Sequence, residues 1–142
     1  LAASFGNIHG VYKPGNIKLR PEILKNAQDL VQKTCNTKPK PLDLVFHGGS
    51  GSEKDEIITA ISYGVFKMNI DTDTQFAFAK SVGKYIKTNP KAFLYQVDPA
   101  DGMPYKKLYD PRKFLRSAEK GMIKRINEAF YDLGSVGKSL AN

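Results

Sequence analysis

The stretch that most constrains this chain is Leu42-Asp43-Leu44-Val45-Phe46-His47-Gly48-Gly49-Ser50-Gly51-Ser52, an apolar run, a histidine and a Gly/Ser loop leading into a helical pattern. The run reads as a short buried strand. The glycines allow a sharp turn and close approach to a ligand. Ser52 is placed to cap the next helix, with Asp55 where a capping-box carboxylate would stand. A strand, a loop and a helix N-terminus make an anion site, because free backbone N–H groups point at the loop. His47 stands at its mouth, so the first expectation is a phosphate held beside a metal ligand.

The same unit recurs on either side. Leu1–Ile8 reads as a strand ending at His9-Gly10, and Val11–Asn16 as a turn. Pro21 suits the first position of a helix, which Ile23, Leu24, Ala27, Leu30 and Val31 carry to about Lys33. After the loop Thr34–Pro41 and the strand Leu42–Phe46, a second helix spans Glu53–Tyr63, with Ile57, Ile58 and Ile61 as its buried stripe and Gly64 just beyond its end. A third strand, Val65–Ile70, leads into Asp71-Thr72-Asp73-Thr74, suited to a helix start. Phe76, Ala79, Val82, Tyr85 and Ile86 extend that helix to about Lys87. Strand–helix alternation predicts an α/β fold with a parallel sheet. Right-handed crossovers put His9, His47 and Asn69-Ile70-Asp71 on one edge, where parallel α/β folds carry their sites.

Residues 88–142 form a second region, an arm and a helix of the same domain as 1–87. Thr88–Tyr109 is rich in proline, lysine and tyrosine, and reads as a functional arm or a string of short helical turns. Asp110 caps a last helix with Pro111 at its first position. Leu115, Ala118, Met122, Ile126, Ala129 and Leu133 line one face, and Gly134 stops it.

Composition narrows the function. The 22 basic and 14 acidic residues give a net charge of +8, but the basic residues are scattered, with Lys33–Lys40 a solvated loop. The scatter argues against nucleic acid, and anionic small molecules such as sugar phosphates fit the charge balance equally well. No run approaches the ~18 apolar residues of a membrane span, and no signal peptide is visible. The single cysteine, Cys35, excludes an intrachain disulfide and suggests a reduced, cytoplasmic setting. It reads as an incidental thiol. Leu1 in place of Met suggests a processed or partial product.

The only two histidines, His9 and His47, are each followed by glycine and end neighbouring strands. They could share a zinc ion, which usually takes three protein ligands in a catalytic site. The third is either a carboxylate or a group from another polypeptide segment. Three strand–helix units cannot close an eight-stranded barrel, and an open three-stranded sheet leaves its edges unprotected. Both gaps point to the latter part of a longer protein. Arg112 sits in the first turn of a helix, against the macrodipole. Either Asp110 offsets it, or its planar fork is held there to meet an anion.

Four segments resemble signatures of class II, metal-dependent fructose-bisphosphate aldolases: Ser4-Phe5-Gly6-Asn7-Ile8-His9-Gly10-Val11-Tyr12-Lys13-Pro14-Gly15-Asn16, Phe46–Ser52, Lys67–Gln75 and Tyr109-Asp110-Pro111-Arg112. The form with Tyr12-Lys13-Pro14-Gly15 resembles the subgroup of yeasts and many bacteria, which favours fructose 1,6-bisphosphate over the tagatose isomer. The resemblance implies a (β/α)8 TIM barrel, of which this chain is roughly the C-terminal two-fifths, plus a long loop and a C-terminal helix. It implies that His9 and His47 are two of three Zn2+ ligands. Gly10, Gly48, Gly49 and Ser50 would surround the dihydroxyacetone phosphate group near a monovalent cation, Na+ or K+. Asn69, Asp71 and Thr72 would contact substrate, Asn69 at the zinc-stabilised enediolate. Arg112 would reach the neighbouring site of a homodimer. The third histidine, the catalytic aspartate and an active-site glutamate would lie in the absent N-terminal segment, leaving this fragment inactive alone. A Schiff base at Lys67 is the mechanistic rival. A non-catalytic phosphate-binding module and a tagatose-bisphosphate aldolase are the functional alternatives. Neither nucleic acid nor membrane is an expected partner.

Overall fold

The computed structural model describes residues 1–10 and 16–139. The turn expected at Val11–Asn16, including the Tyr12-Lys13-Pro14-Gly15 segment, therefore lies almost wholly outside the described residues. The elements in chain order are α1 (Glu22–Cys35), β1 (Leu44–Phe46), α2 (Lys54–Ser62), β2 (Val65–Met68), α3 (Thr72–Thr88), a 3₁₀ turn (Pro90–Phe93), α4 (Lys106–Tyr109) and α5 (Pro111–Asp132). The chain divides into two compact units, one of Leu1–Asp73 with the chain from Ala129 onward, the other Thr74–Glu128.

The first unit is built on β1 and β2, which pair in parallel, Leu44 opposite Val65 and Phe46 opposite Met68. Leu44, Phe46 and Val65 are buried with Phe5, Leu19, Leu24, Ile57 and Ala60 in one core. Phe5 and Phe46 meet edge-on with ring centroids 4.8 Å apart, the arrangement that the aromatic quadrupole favours.

The strand expected at Leu1–Ile8 is reduced to a single parallel bridge, Ala2 to Val45. The reason lies in where its polar groups go. The Phe5 carbonyl accepts the Arg20 N–H at 2.6 Å, the Phe5 N–H donates to Asn7 Oδ1, and Gly6 turns the chain at φ +99°. The third strand ends at Met68 rather than Ile70. The Asn69 N–H still reaches Phe46 O at 2.8 Å, but its carbonyl accepts from Gly49 of the loop.

Helix α1 runs two residues past Lys33, because the first residue to take the left-handed conformation is Asn36, at φ 49°. Its buried positions are Leu24 and Gln28, while Leu30 is exposed. Gln28 is buried because it serves the strand starts. Its Nε2 donates to Leu42 O at 2.8 Å and Tyr63 O at 3.0 Å, and its Oε1 accepts from Leu42 N at 2.8 Å. Satisfied in this way, a buried amide costs little. Gly64, expected beyond α2, does lie there, at φ +101°. Any Cβ at Gly64 would come within 2.4 Å of Gln28 Nε2.

Two details of α2 differ from the sequence reading. The residue at its N-cap is Glu53, not Ser52, and no side-chain cap bond forms. The Ser52 N–H instead closes the glycine turn onto Gly49 O. Ala60 is buried beside Ile57, whereas Ile58 is exposed.

In the second unit, α3 buries no residue fully, and Phe76, Ala79 and Ile86 are exposed. Its inward face is Ala77, Ser81, Val82 and Tyr85. That face meets α5 at Gly121, where a Cβ would lie 2.0 Å from Ser81 Oγ and 2.9 Å from Ala77 O. Close backbone approach thus selects small residues, and the expected stripe on α5 rotates: Ala118 is buried, while Leu115 and Ile126 are exposed. Tyr85, Phe93 and Phe114 form a row of ring contacts, centroids 6.2 Å and 5.8 Å apart.

The arm holds the 3₁₀ turn, an antiparallel bridge between Val97 and Pro104, and α4. Asp98 ties it together, accepting from the Tyr105 hydroxyl, from Ala100 N at 2.9 Å and from Lys91 Nζ at 3.2 Å. The Tyr105 bond, followed by the other two, holds the Asp98 carboxyl at about 2, and Asp98 pushes the Tyr105 phenol up to about 12. The signs follow from linkage. The Asp98 contribution is present above the ordinary value of 3.8 and lost as pH falls towards 2. The Tyr105 contribution is present below 10 and lost as pH rises through 12. Asp98→Asn is expected to return the Tyr105 titration towards 10.0, read by NMR of the ring. An unchanged titration would remove Asp98 as the cause.

Candidate active site

The C-terminal ends of β1 and β2, with the segment before Gly10, enclose a cleft of about 560 Å³ lined by His9, Gly10, Gly48, Ser50, Met68, Asn69, Ile70, Asp71 and Thr72. Parallel strands joined by helical crossovers bring successive strand ends to one edge. That topology is why residues up to 63 positions apart in sequence share one cleft.

The two histidine rings face each other with centroids 6.0 Å apart and planes tilted by 48°. A zinc–nitrogen bond of about 2.0–2.1 Å puts a coordinated ring's centre roughly 3 Å from the metal, so two rings on one zinc stand roughly 5–6 Å apart. The pair therefore fits a shared zinc in both donor type and spacing. Among the described residues, no cluster of three or more His, Cys, Asp and Glu is present. His9 and His47 are thus a partial ligand set.

His47 is held on several sides. Its Nδ1 lies 2.9 Å from Asn69 Nδ2. Its carbonyl accepts from Asn7 Nδ2 at 2.8 Å. Gly48, at φ +65°, lets the loop lie directly on the other histidine's segment: a Cβ there would stand 2.8 Å from Ile8 O and 3.2 Å from His9 N.

The glycine loop is less open than its sequence suggests. The Gly49 N–H donates to Asn69 O, the Ser52 N–H to Gly49 O, and the Gly51 N–H to Asp73 Oδ2 at 3.2 Å. In return, the Asp73 N–H donates to the buried Ser50 Oγ at 3.3 Å. Three N–H groups expected to point freely at an anion are instead spent on holding the loop's shape. Gly49 does not line the cleft. It lies against Met68, whose Cε would be 2.3 Å from an added Cβ.

Arg112 belongs to the second unit. Its guanidinium grips the Asp110 carboxylate, with Nη2 at 2.6 Å and Nε at 3.0 Å from the two oxygens, and its N–H bonds Asp110 Oδ1 at 3.0 Å. Asp110 is therefore both the helix cap and the offset to the charge. The guanidinium bonds first, then the backbone one, hold its carboxyl at about 2. The Arg112 side chain is 88% exposed, which leaves its outer edge open to water. Lys67 lies in β2 opposite Val45, is exposed, and is not among the residues lining the cleft.

The sequence reading does not single out Met68, Asp73 or Asn7 as site residues. Asn7 had one legible signal, its place two residues before His9, which in extended chain puts both side chains on one side.

Comparison with known proteins finds relatives along nearly the whole chain. The family model for class-II fructose-bisphosphate aldolase covers residues 1–138. The fructose-bisphosphate aldolase of Campylobacter jejuni strain 81-176 is 54% identical over 142 residues, covering 98% of this chain and 40% of that protein. The corresponding protein of Mycobacterium leprae is 53% identical over 143 residues, covering 99% and 41%. Among solved structures, the Campylobacter jejuni aldolase superposes with a TM-score of 0.86 at 54% identity, over 97% of this chain and 40% of that one. The YdjI aldolase of Escherichia coli K12 shares the fold, with a TM-score of 0.58 at 24% identity over 96% and 39%. This chain spans about two-fifths of the length of the relatives it matches, their C-terminal part, so that its α/β architecture is a C-terminal portion of a TIM barrel. With the model match and the relatives' identity together, the chain belongs to the class II fructose-bisphosphate aldolase family.

Proposed function

We propose that the chain is the metal-binding and phosphate-binding part of a Zn2+-dependent enzyme that reversibly cleaves fructose 1,6-bisphosphate to dihydroxyacetone phosphate and glyceraldehyde 3-phosphate. The observation that carries the reading is the pair His9 and His47, rings 6.0 Å apart, with Asn69 against His47 at the edge of one cleft. Residues 1–87 would supply the last three strand–helix units of the barrel and 88–142 its arm and final helix. The preceding segment would bring the third zinc ligand and the base. Residues 1–142 alone are then inactive.

His9 and His47 would hold the metal. Zinc supplies Lewis-acid stabilisation of the negative charge that develops next to the substrate carbonyl as the C3–C4 bond breaks. The chain's own residues do the positioning. Gly10, Gly48 and Ser50 shape the wall that receives a phosphate, with a monovalent cation beside it, and Gly49 keeps Met68 close behind. Asp71 and Thr72 fix the substrate hydroxyls and phosphate. Such fixing converts binding energy into orientation. Asn69 can turn its amide from His47 Nδ1 to the developing oxyanion. A donor of this kind is worth about 10²–10³ in kcat. Arg112, aimed outward from Asp110, would bind the second phosphate in the neighbouring site of a homodimer. A glycolytic role in the cytoplasm fits this substrate.

The test is inhibition. In the full-length protein, a chelator is expected to abolish cleavage, zinc to restore it, and borohydride with substrate to trap nothing. Chelator resistance with covalent trapping at Lys67 would overturn the reading in favour of a Schiff base. Phosphate binding without aldol cleavage in the zinc-loaded protein would favour a non-catalytic module. Preference for the tagatose isomer would keep the chemistry and change the substrate.

A further inference from the structure

We propose that Asn7 is a positioning residue that sets the spacing of the two histidines. The inference rests on the zinc reading above and adds to it a residue outside the ligand and substrate sets. Asn7 has both ends of its side-chain amide engaged. Oδ1 accepts the Phe5 N–H at 2.8 Å, and Nδ2 donates to the His47 carbonyl at 2.8 Å across 40 residues of sequence.

The first bond fixes Asn7 to a firm anchor. The Phe5 ring is fully buried in the core against Phe46, and the Phe5 carbonyl is tied to Arg20. The second bond transmits that position to the backbone of His47 itself. His9 follows Asn7 by two residues, so one amide links the chain segments that carry both imidazoles. The backbone contact at Gly48, which leaves no room for a Cβ against Ile8 and His9, closes the same gap from the other side. Among the described residues, the strand-like pairing of these segments, the Val45 N–H to Leu1 O bond and the Ala2–Val45 bridge, lies at the far end from the histidines. The Asn7 strap therefore does at the cleft what strand pairing does elsewhere in the sheet.

The strap has a control in the same unit. Gln28 also bridges separate segments through a buried amide, but at the starts of β1 and β2, away from the cleft. A purely structural role for Asn7 would make the two residues behave alike.

The experiment uses the full-length protein. Asn7→Asp keeps the acceptor for Phe5 and removes the donor to His47. Asn7→Ser shortens the side chain and removes the bridge. Zinc affinity is measured by competition with a chromophoric chelator, alongside thermal unfolding of the zinc-free protein. Both Asn7 variants are expected to bind zinc about 10–100-fold more weakly, the range for groups that orient metal ligands, with kcat falling at saturating zinc and KM little changed. Gln28→Ala is expected to lower the unfolding temperature and leave zinc affinity within about twofold. Wild-type zinc affinity in either folded Asn7 variant would overturn the proposal. So would an equal loss in Gln28→Ala, or failure of both Asn7 variants to fold with zinc in excess. Absence of zinc binding by the wild-type protein would instead refute the metal reading itself.

Discussion

His47→Ala in the full-length protein is expected to lose tight zinc binding and to lower kcat/KM for fructose 1,6-bisphosphate cleavage by at least about 10³-fold, some 4 kcal/mol of transition-state stabilisation. Two losses combine at this position. One of only two imidazoles in the chain disappears, and removing a ligand costs more than the roughly 10–100-fold that its supporting groups are worth. Asn69 also loses the partner that holds its amide at 2.9 Å. The fold should survive, because His47 is outside the buried core and the bonds that fix its neighbourhood, Asn69 N–H to Phe46 O and Gly49 N–H to Asn69 O, are backbone. Circular dichroism should therefore match the parent while metal and activity are lost. Retained cleavage would exclude His47 from the site.

Gly48→Ala is expected to be nearly as damaging by another route. A non-glycine residue at φ +65° carries backbone strain of about 1–3 kcal/mol. The new methyl would also meet the Ile8 carbonyl at 2.8 Å for its oxygen and 2.9 Å for its carbon. These are backbone atoms, with no rotamer by which to escape. Relief requires moving the His9 segment away from the His47 loop, which widens the ligand pair. The protein should unfold at lower temperature by several degrees and bind zinc at least 10-fold more weakly. Gly51→Ala separates the two effects, since Gly51 has a similar φ of +76° but nothing within 4 Å of its added Cβ. It should show the strain and retain the metal. Equal zinc loss in both variants would remove the steric argument.

Much of this site was legible in the chain because parallel α/β topology converts sequence order into spatial order. Once His9, His47 and Asn69 read as successive strand ends, the crossover rule brings them to one edge; His9 and Asn69 line the cleft, and the His47 ring stands beside both. The boundaries that failed did so where tertiary partners outbid local pattern. Leu1–Ile8 has a strand's composition, but its polar groups are drawn to Arg20 and Asn7. Leu30 and Ile58 fit their helical stripes yet lie exposed, while Gln28 and Ala60 are buried because strand starts need hydrogen bonds and close packing needs a small side chain. The glycine loop misled in a more instructive way. Its sequence reads as open N–H groups, whereas Asp73, 22 residues on from Gly51, and Asn69 have claimed them. Nothing local could announce those partners.

Anomalous scattering at the zinc edge from crystals of the active full-length protein tests most directly whether His9 and His47 hold one catalytic zinc. One strong metal peak per active site is expected, bonded to a ring nitrogen of His9 and of His47, and lost in His47→Ala. A fully active protein with no metal between these two rings would contradict it.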